Sequence, residues 1–146
     1  MSQITDEIWV GSSVDASNDT FLNERRITYM LCCAEEIFLR TILYDSPRIG
    51  YKVPIAENIL TEKTKEYFLE GAAILDKWVT KGGRTMVHCM TGSCRSVSVV
   101  ITYLMVYKKW SFQLAFTHLK VRRYQTDPYP DFINILKEIE SNCKAL

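Results

Sequence analysis

Apolar positions along this chain alternate between short runs and a helical repeat, which predicts an α/β layer structure. Four short runs read as strands: Ile8–Val10, Ile27–Cys32, Tyr51–Ile55 and Thr85–Cys89. From Thr64 to Lys81, Phe68, Ala72, Leu75 and Val79 recur at helical spacing, and Gly82-Gly83 then stops the run. Arg95–Lys108 is apolar on nearly every side, through Val97, Val99, Val100, Ile101, Leu104 and Met105, and is the expected central buried helix. Ser111 suits the cap of a helix carrying Phe112, Ala115, Phe116 and Leu119. A last helix begins near Pro130, a residue suited to a first turn, and repeats Phe132, Ile135, Leu136 and Ile139. The expected fold is a twisted central sheet of about four to five strands flanked by helices.

Composition narrows the classes. With 146 residues and 47% apolar content, the chain suits one globular domain over residues 1–146. A formal net charge of +1 gives no bulk attraction to nucleic acid or to a membrane surface. No apolar run reaches the ~18 residues of a membrane span. The polar, acidic start Met1-Ser2-Gln3-Ile4-Thr5-Asp6-Glu7 is unlike a signal peptide. Five cysteines, an odd count without secretory context, fit a reducing compartment; the cytoplasm is expected, with the nucleus left open. No Cys/His spacing suits zinc, so neither a metal nor a cofactor is expected.

The chemistry concentrates in Thr85-Met86-Val87-His88-Cys89-Met90-Thr91-Gly92-Ser93-Cys94-Arg95-Ser96. A cysteine ends an apolar strand, an arginine stands six positions later, and a long apolar helix follows. A tight loop between a strand and a helix N-terminus aims backbone N–H groups inward, where the helix dipole adds positive charge. Met90, Thr91, Gly92, Ser93 and Cys94 would supply those amides, and Gly92 the backbone freedom of the turn. Arg95 can present a planar fork to two phosphate oxygens. The same positive surroundings favour the thiolate of Cys89, the reactive form of a nucleophile. A bare Cys-x5-Arg is weak evidence, and a buried strand cysteine ahead of a helix is its bland alternative. The order of strand, His88, Gly92, Ser96 and helix carries the functional reading.

This segment resembles the signature loop of the protein tyrosine phosphatase superfamily, and above all of its small atypical dual-specificity members. The resemblance extends over Trp9-Val10-Gly11-Ser12, Val53-Pro54-Ile55 and Arg122-Arg123 with Pro128 and Phe132. It implies a cysteine-dependent phosphatase acting on protein phosphotyrosine, and on phosphoserine and phosphothreonine, through a thiophosphate intermediate. His88 would order the cysteine. Ser96 would donate a hydrogen bond to the departing sulfur, unless it is an ordinary helix-capping serine.

Three positions depart from the family pattern. Where relatives carry an aspartate as general acid, Glu57 stands here, 32 positions before Cys89. Its alternative is a solvated loop carboxylate, with Asp45 as the fallback acid. Cys94 replaces a more usual serine, and the resulting Cys89-x4-Cys94-Arg95-Ser96 is also similar to the loop of the low-molecular-weight tyrosine phosphatases. That similarity implies reversible oxidation to a Cys89–Cys94 disulfide if the Cα atoms lie within roughly 7 Å, with an inert loop thiol as the alternative. Cys32, Cys33 and Cys143 read as packing or surface residues. Pro128-Tyr129 stands where relatives place Pro-Asn, so Tyr129 is expected in the cleft wall. Lys120, Arg122 and Arg123 form a basic cluster at a helix end, favourable there in any case; a weaker reading is attraction of acidic residues beside a phosphosite.

A phosphorylated protein is the expected partner, with no nucleic acid and no membrane. Three other functions stay open: a phosphoinositide or RNA phosphatase with the same chemistry, a phosphate-binding pseudophosphatase with little turnover, and a plain interaction module. The loop carries no lysine or histidine between Cys89 and Arg95, which weighs against a highly charged substrate.

Overall fold

The computed structural model describes residues 1–38 and 48–144. Its elements are β1 (Ser2–Gln3), β2 (Ile8–Gly11), α1 (Ser13–Ala16), α2 (Asp19–Glu24), β3 (Tyr29–Cys32), β4 (Ile49–Lys52), α3 (Thr64–Thr80), β5 (Thr85–His88), α4 (Arg95–Tyr107), α5 (Phe112–Arg122) and α6 (Pro130–Lys144). They form a five-stranded sheet of order β1-β2-β5-β3-β4, flanked by helices as expected. Only β1 runs antiparallel to its neighbour.

Strand periodicity divides the sheet between two cores. Ile8, Val10, Leu31 and Val87 face the larger core, shared with α3, α4, α5 and α6. Trp9, Met30 and Met86 face the opposite side, where Ala16 of α1 and Leu22 of α2 cover them. The near-continuous apolar character of β2, β3 and β5 follows, because both faces are buried.

Helix α4 lies at the centre of the larger layer, with residues 95–105 all buried. The end of α3 is set by Gly82 in a left-handed conformation at φ 78°. Gly82 and Gly83 return their N–H groups to the Val79 and Trp78 carbonyls, which closes a Schellman turn. Ser111 caps α5 by accepting from the Leu114 amide at 3.1 Å, and Pro130 opens α6.

The second half of the sheet needs correction. The strand expected at Tyr51–Ile55 is β4, at Ile49–Lys52. The Val53 amide still donates to the Cys32 carbonyl at 2.9 Å, but Pro54 has no N–H to continue the ladder. The strand expected from Ile27 begins at Tyr29, and Cys89 lies just beyond the end of β5. Helices α1 and α2, which the apolar pattern misses, are short and cap-driven. Ser12 accepts from the Asp15 amide and Asn18 from the Phe21 amide. Among the described residues, no helix is long and apolar enough to cross a membrane.

Candidate active site

Strands β3 and β5 run parallel, so their carboxyl ends open on the same edge of the sheet, a common place for ligands in such folds. The loop from Cys89 to Cys94 leaves β5 there and enters α4 at Arg95. Glu57, Thr91, Ser93, Cys94, Arg95, Asp127 and Tyr129 line a cavity of about 230 Å³, with Cys89 in its wall.

The loop holds its carbonyls outward. The Met90 carbonyl accepts from the Ser13 amide at 3.0 Å, and the Ser93 carbonyl from the Asp127 amide at 2.7 Å. The Cys94 carbonyl takes both the amide and the hydroxyl of Ser98, at 3.0 and 2.7 Å. A peptide plane is rigid, so an outward carbonyl turns the following N–H inward. Gly92 allows the turn: its φ is 70°, and a Cβ there would lie 2.5 Å from the Gly11 carbonyl oxygen.

Cys89 is buried, with its Sγ 3.3 Å from the Ser96 hydroxyl. Burial works against a thiolate. The Ser96 hydroxyl, the Ser96 and Gly92 amides and the Arg95 charge outweigh it and bring the thiol below its ordinary range. Ser96 lies inside α4, and the helix cap is Cys94.

Arg95 is also buried, and its partners reveal a residue that the sequence reading missed. Glu36 takes Nη1 on one carboxylate oxygen and Nη2 on the other at 2.7 Å, while Nη1 also donates to the Ile55 carbonyl at 3.0 Å. A guanidinium carries five N–H donors, and these bonds use three of them. The remaining Nε–H and Nη2–H lie along one side of the guanidinium, the bidentate geometry that suits two oxyanion oxygens. Hydrogen bonding to Arg95 in turn holds the Glu36 carboxyl below its usual range, against the opposing effect of burial. Glu36 could have been suspected from its place just after an apolar strand ending on the same edge.

Glu57 is exposed in the turn after Pro54-Ile55, at the mouth of the cavity. Asp45 lies outside the described residues. Cys94 has a bracing contact: its Sγ accepts from the Tyr129 backbone amide at 3.2 Å, which ties the loop to the segment before α6. Burial pushes its thiol up to about 11. Tyr129 lines the cavity and packs edge-on against Phe132. The basic cluster separates: Arg122 is exposed, Lys120 bonds the Tyr124 and Thr126 carbonyls, and Arg123 is buried. Among the described residues, no group of three or more His, Cys, Asp or Glu is placed to hold a metal ion.

His88 sits behind the nucleophile. Burial pushes its imidazole down to about 4, with the Cys89 backbone opposing. In the unfolded chain it titrates near 6.5, so the unfolded state takes up the proton first as pH falls. Stability should therefore drop by about 2 kcal/mol between pH 7 and pH 5 from this group alone. Urea unfolding of the wild type and His88→Gln at both pH values checks this: the variant should lack that part of the loss.

A family model described as "Dual specificity phosphatase, catalytic domain" matches residues 8–142. Dual specificity protein phosphatase 1B of Arabidopsis thaliana is 30% identical over 99% of this chain and 84% of its own length. Dual specificity protein phosphatase 1 of the same plant is also 30% identical, over 99% of this chain and 71% of its own. The crystal structure of human DUSP28 superposes with a TM-score of 0.90, covering 99% of each chain at 21% identity.

Proposed function

The chain belongs to the dual specificity phosphatase family, and from that premise we propose that residues 1–146 form one catalytic domain that hydrolyses phosphate monoesters on proteins. Its substrates are phosphotyrosine and, as membership of a dual specificity family suggests, phosphoserine and phosphothreonine. The observation that carries this reading is the placement of a lowered thiol, Cys89, beside a guanidinium edge whose two remaining donors have no partner among the described residues.

The Cys89 thiolate attacks phosphorus, and an S–P bond forms as the P–O bond to the substrate breaks. Arg95 and the inward amides of the loop hold the equatorial oxygens as charge spreads over them. Glu57, as the carboxylic acid, gives its proton to the departing oxygen. Water then attacks phosphorus, Glu57 takes up the water proton, and the S–P bond breaks. Ser96 donates a hydrogen bond to the sulfur as it leaves. Glu57 and Asp127 line the cavity, and Arg95 is already paired with Glu36. Such a rim repels a second phosphate, which favours a protein monoester over a phosphoinositide or a triphosphate end.

The test is phosphate release from an aryl phosphate and from matched phosphotyrosine and phosphoserine peptides under reducing conditions. Release from the peptides supports the reading. Phosphopeptide binding without release would instead make the chain a pseudophosphatase.

Two further expectations rest on the same site. Glu36→Ala leaves the Arg95 fork free to swing and should lower kcat/KM by about tenfold to a hundredfold, while the Cys89 alkylation rate changes little. Peroxide converts the Cys89 thiolate to a sulfenic acid, and the Cys94 thiol then condenses with it, releasing water and forming the disulfide. Mass spectrometry of oxidised protein should find a Cys89–Cys94 peptide, and thiols should restore activity. A Cys33–Cys89 peptide would move the partnership across the sheet. The Cys33 amide donates to the His88 carbonyl at 2.8 Å, which places that cysteine beside the nucleophile.

A further inference from the structure

The two carbonyls at the apex of the loop, Thr91 and Gly92, are served by one side chain from outside it. Arg123, just past the end of α5, donates from Nε to the Gly92 carbonyl at 2.7 Å and from Nη2 to the Thr91 carbonyl at 3.2 Å. Its Nη1 donates to the Ser2 hydroxyl at 3.0 Å. The residue is 5% exposed. A Cβ on Gly92 would lie 2.7 Å from Arg123 Nη2, so the approach requires glycine at that position.

We propose that Arg123 is a positioning residue for oxyanion binding, holding the apex carbonyls outward so that the Gly92 and Ser93 amides face the phosphate. The proposal rests on the phosphatase reading of the same loop. Peptide planarity transmits the effect: fixing the Thr91 oxygen fixes the Gly92 N–H, and fixing the Gly92 oxygen fixes the Ser93 N–H. The Gly92 amide is also one of the donors to the Cys89 sulfur. Arg123 therefore reaches the nucleophile through a single peptide unit.

Charge supports the same role. All three described hydrogen bonds of Arg123 end on neutral oxygens. Burying a cation on neutral dipoles is costly for a fold unless an anion shares the site. Here the Asp15 carboxylate and the Cys89 thiolate are those anions, and an incoming phosphate adds to them. Arg122, its neighbour in sequence, is exposed and donates to the His118 carbonyl at 3.5 Å.

The experiment compares wild type, Arg123→Lys, Arg123→Gln and Ser2→Ala. Calorimetric titration with inorganic phosphate gives oxyanion affinity, and the pH dependence of iodoacetamide alkylation gives the titration midpoint of Cys89. Neither needs turnover. Both Arg123 variants should bind phosphate at least about tenfold more weakly, because charge-assisted bonds that set two amides are lost. Their alkylation midpoints should move upward. Ser2→Ala, which removes only the contact away from the loop, should match wild type in both. Folded Arg123 variants with unchanged phosphate affinity and alkylation profile would overturn the proposal. So would loss of the native circular dichroism spectrum in both variants, since Arg123 would then hold the fold and not the loop. A wild type that neither binds phosphate nor has a lowered midpoint would instead overturn the phosphatase reading itself.

Discussion

Cys89→Ser is expected to release phosphate at least about 10⁴-fold more slowly than wild type while still binding a phosphopeptide. Serine is close to isosteric with cysteine, so the buried position and the contact with Ser96 should tolerate it. A hydroxyl does not ionise in the range where this thiol does. The amides and the hydroxyl that stabilise a thiolate at position 89 therefore yield no nucleophile in the variant. Binding survives because its donors, the Arg95 edge and the inward amides, are unchanged. The pH dependence carries the same sign. Cys89 has its thiol lowered, so wild-type kcat/KM should hold at pH values where an ordinary cysteine is protonated. It should then fall as pH drops through the lowered value. Peptide titration and initial rates on one preparation separate the two effects. A Cys89→Ser protein that retains substantial release would remove the covalent step. A variant that loses binding as well would mean that the sulfur itself organises the loop.

How much of this site the sequence carried depended on how far each partner lay along the chain. Cys89, Arg95 and Ser96 share one continuous segment, and the strand before and helix after fix its geometry. Their grouping was therefore legible. The Glu36–Arg95 pair joins residues 59 positions apart, and the Arg123 contact to Gly92 spans 31. Their positions can be noticed locally, after an apolar strand for Glu36 and in a basic cluster for Arg123, but the pairings cannot. Arg122 and Arg123 are identical neighbours in composition, yet one is exposed and the other nearly inaccessible. That difference comes from where α5 ends, beside the loop.

The fold shows the same division. Helix α3 and its Gly82 stop were readable because burial on one face imposes a period and the turn requires a left-handed residue. Strand β4 was misplaced because it is an edge strand: Ile49 is 59% exposed, so its apolar residues do not report burial. For Cys94 the sequence leaves oxidation and an inert loop thiol side by side, and neither reading contains the brace it receives from the Tyr129 amide. That contact runs through the backbone, so the identity of the side chain at position 129 gives no sign of it.

Glu57→Gln should separate substrates by their leaving groups. An amide keeps the size and hydrogen bonding of the carboxyl but cannot deliver a proton. On a phosphotyrosine or phosphoserine peptide, whose departing oxygen is strongly basic, the expected loss in kcat is about 10²–10⁴-fold. A nitrophenolate departs readily without a proton, so the loss there should be far smaller. The exposed turn that carries Glu57 bears on the magnitude. Glutamate has one more rotatable bond than aspartate, and a carboxyl displaced by about 1 Å can cost about a hundredfold. Glu57→Asp is therefore an informative companion. A faster Asp variant would mean that the longer side chain holds the proton badly placed in the wild type. Equal rates for wild type and Glu57→Gln on the poor leaving group would release Glu57 from the role. The acid would then be Asp45, or the reaction would proceed without one.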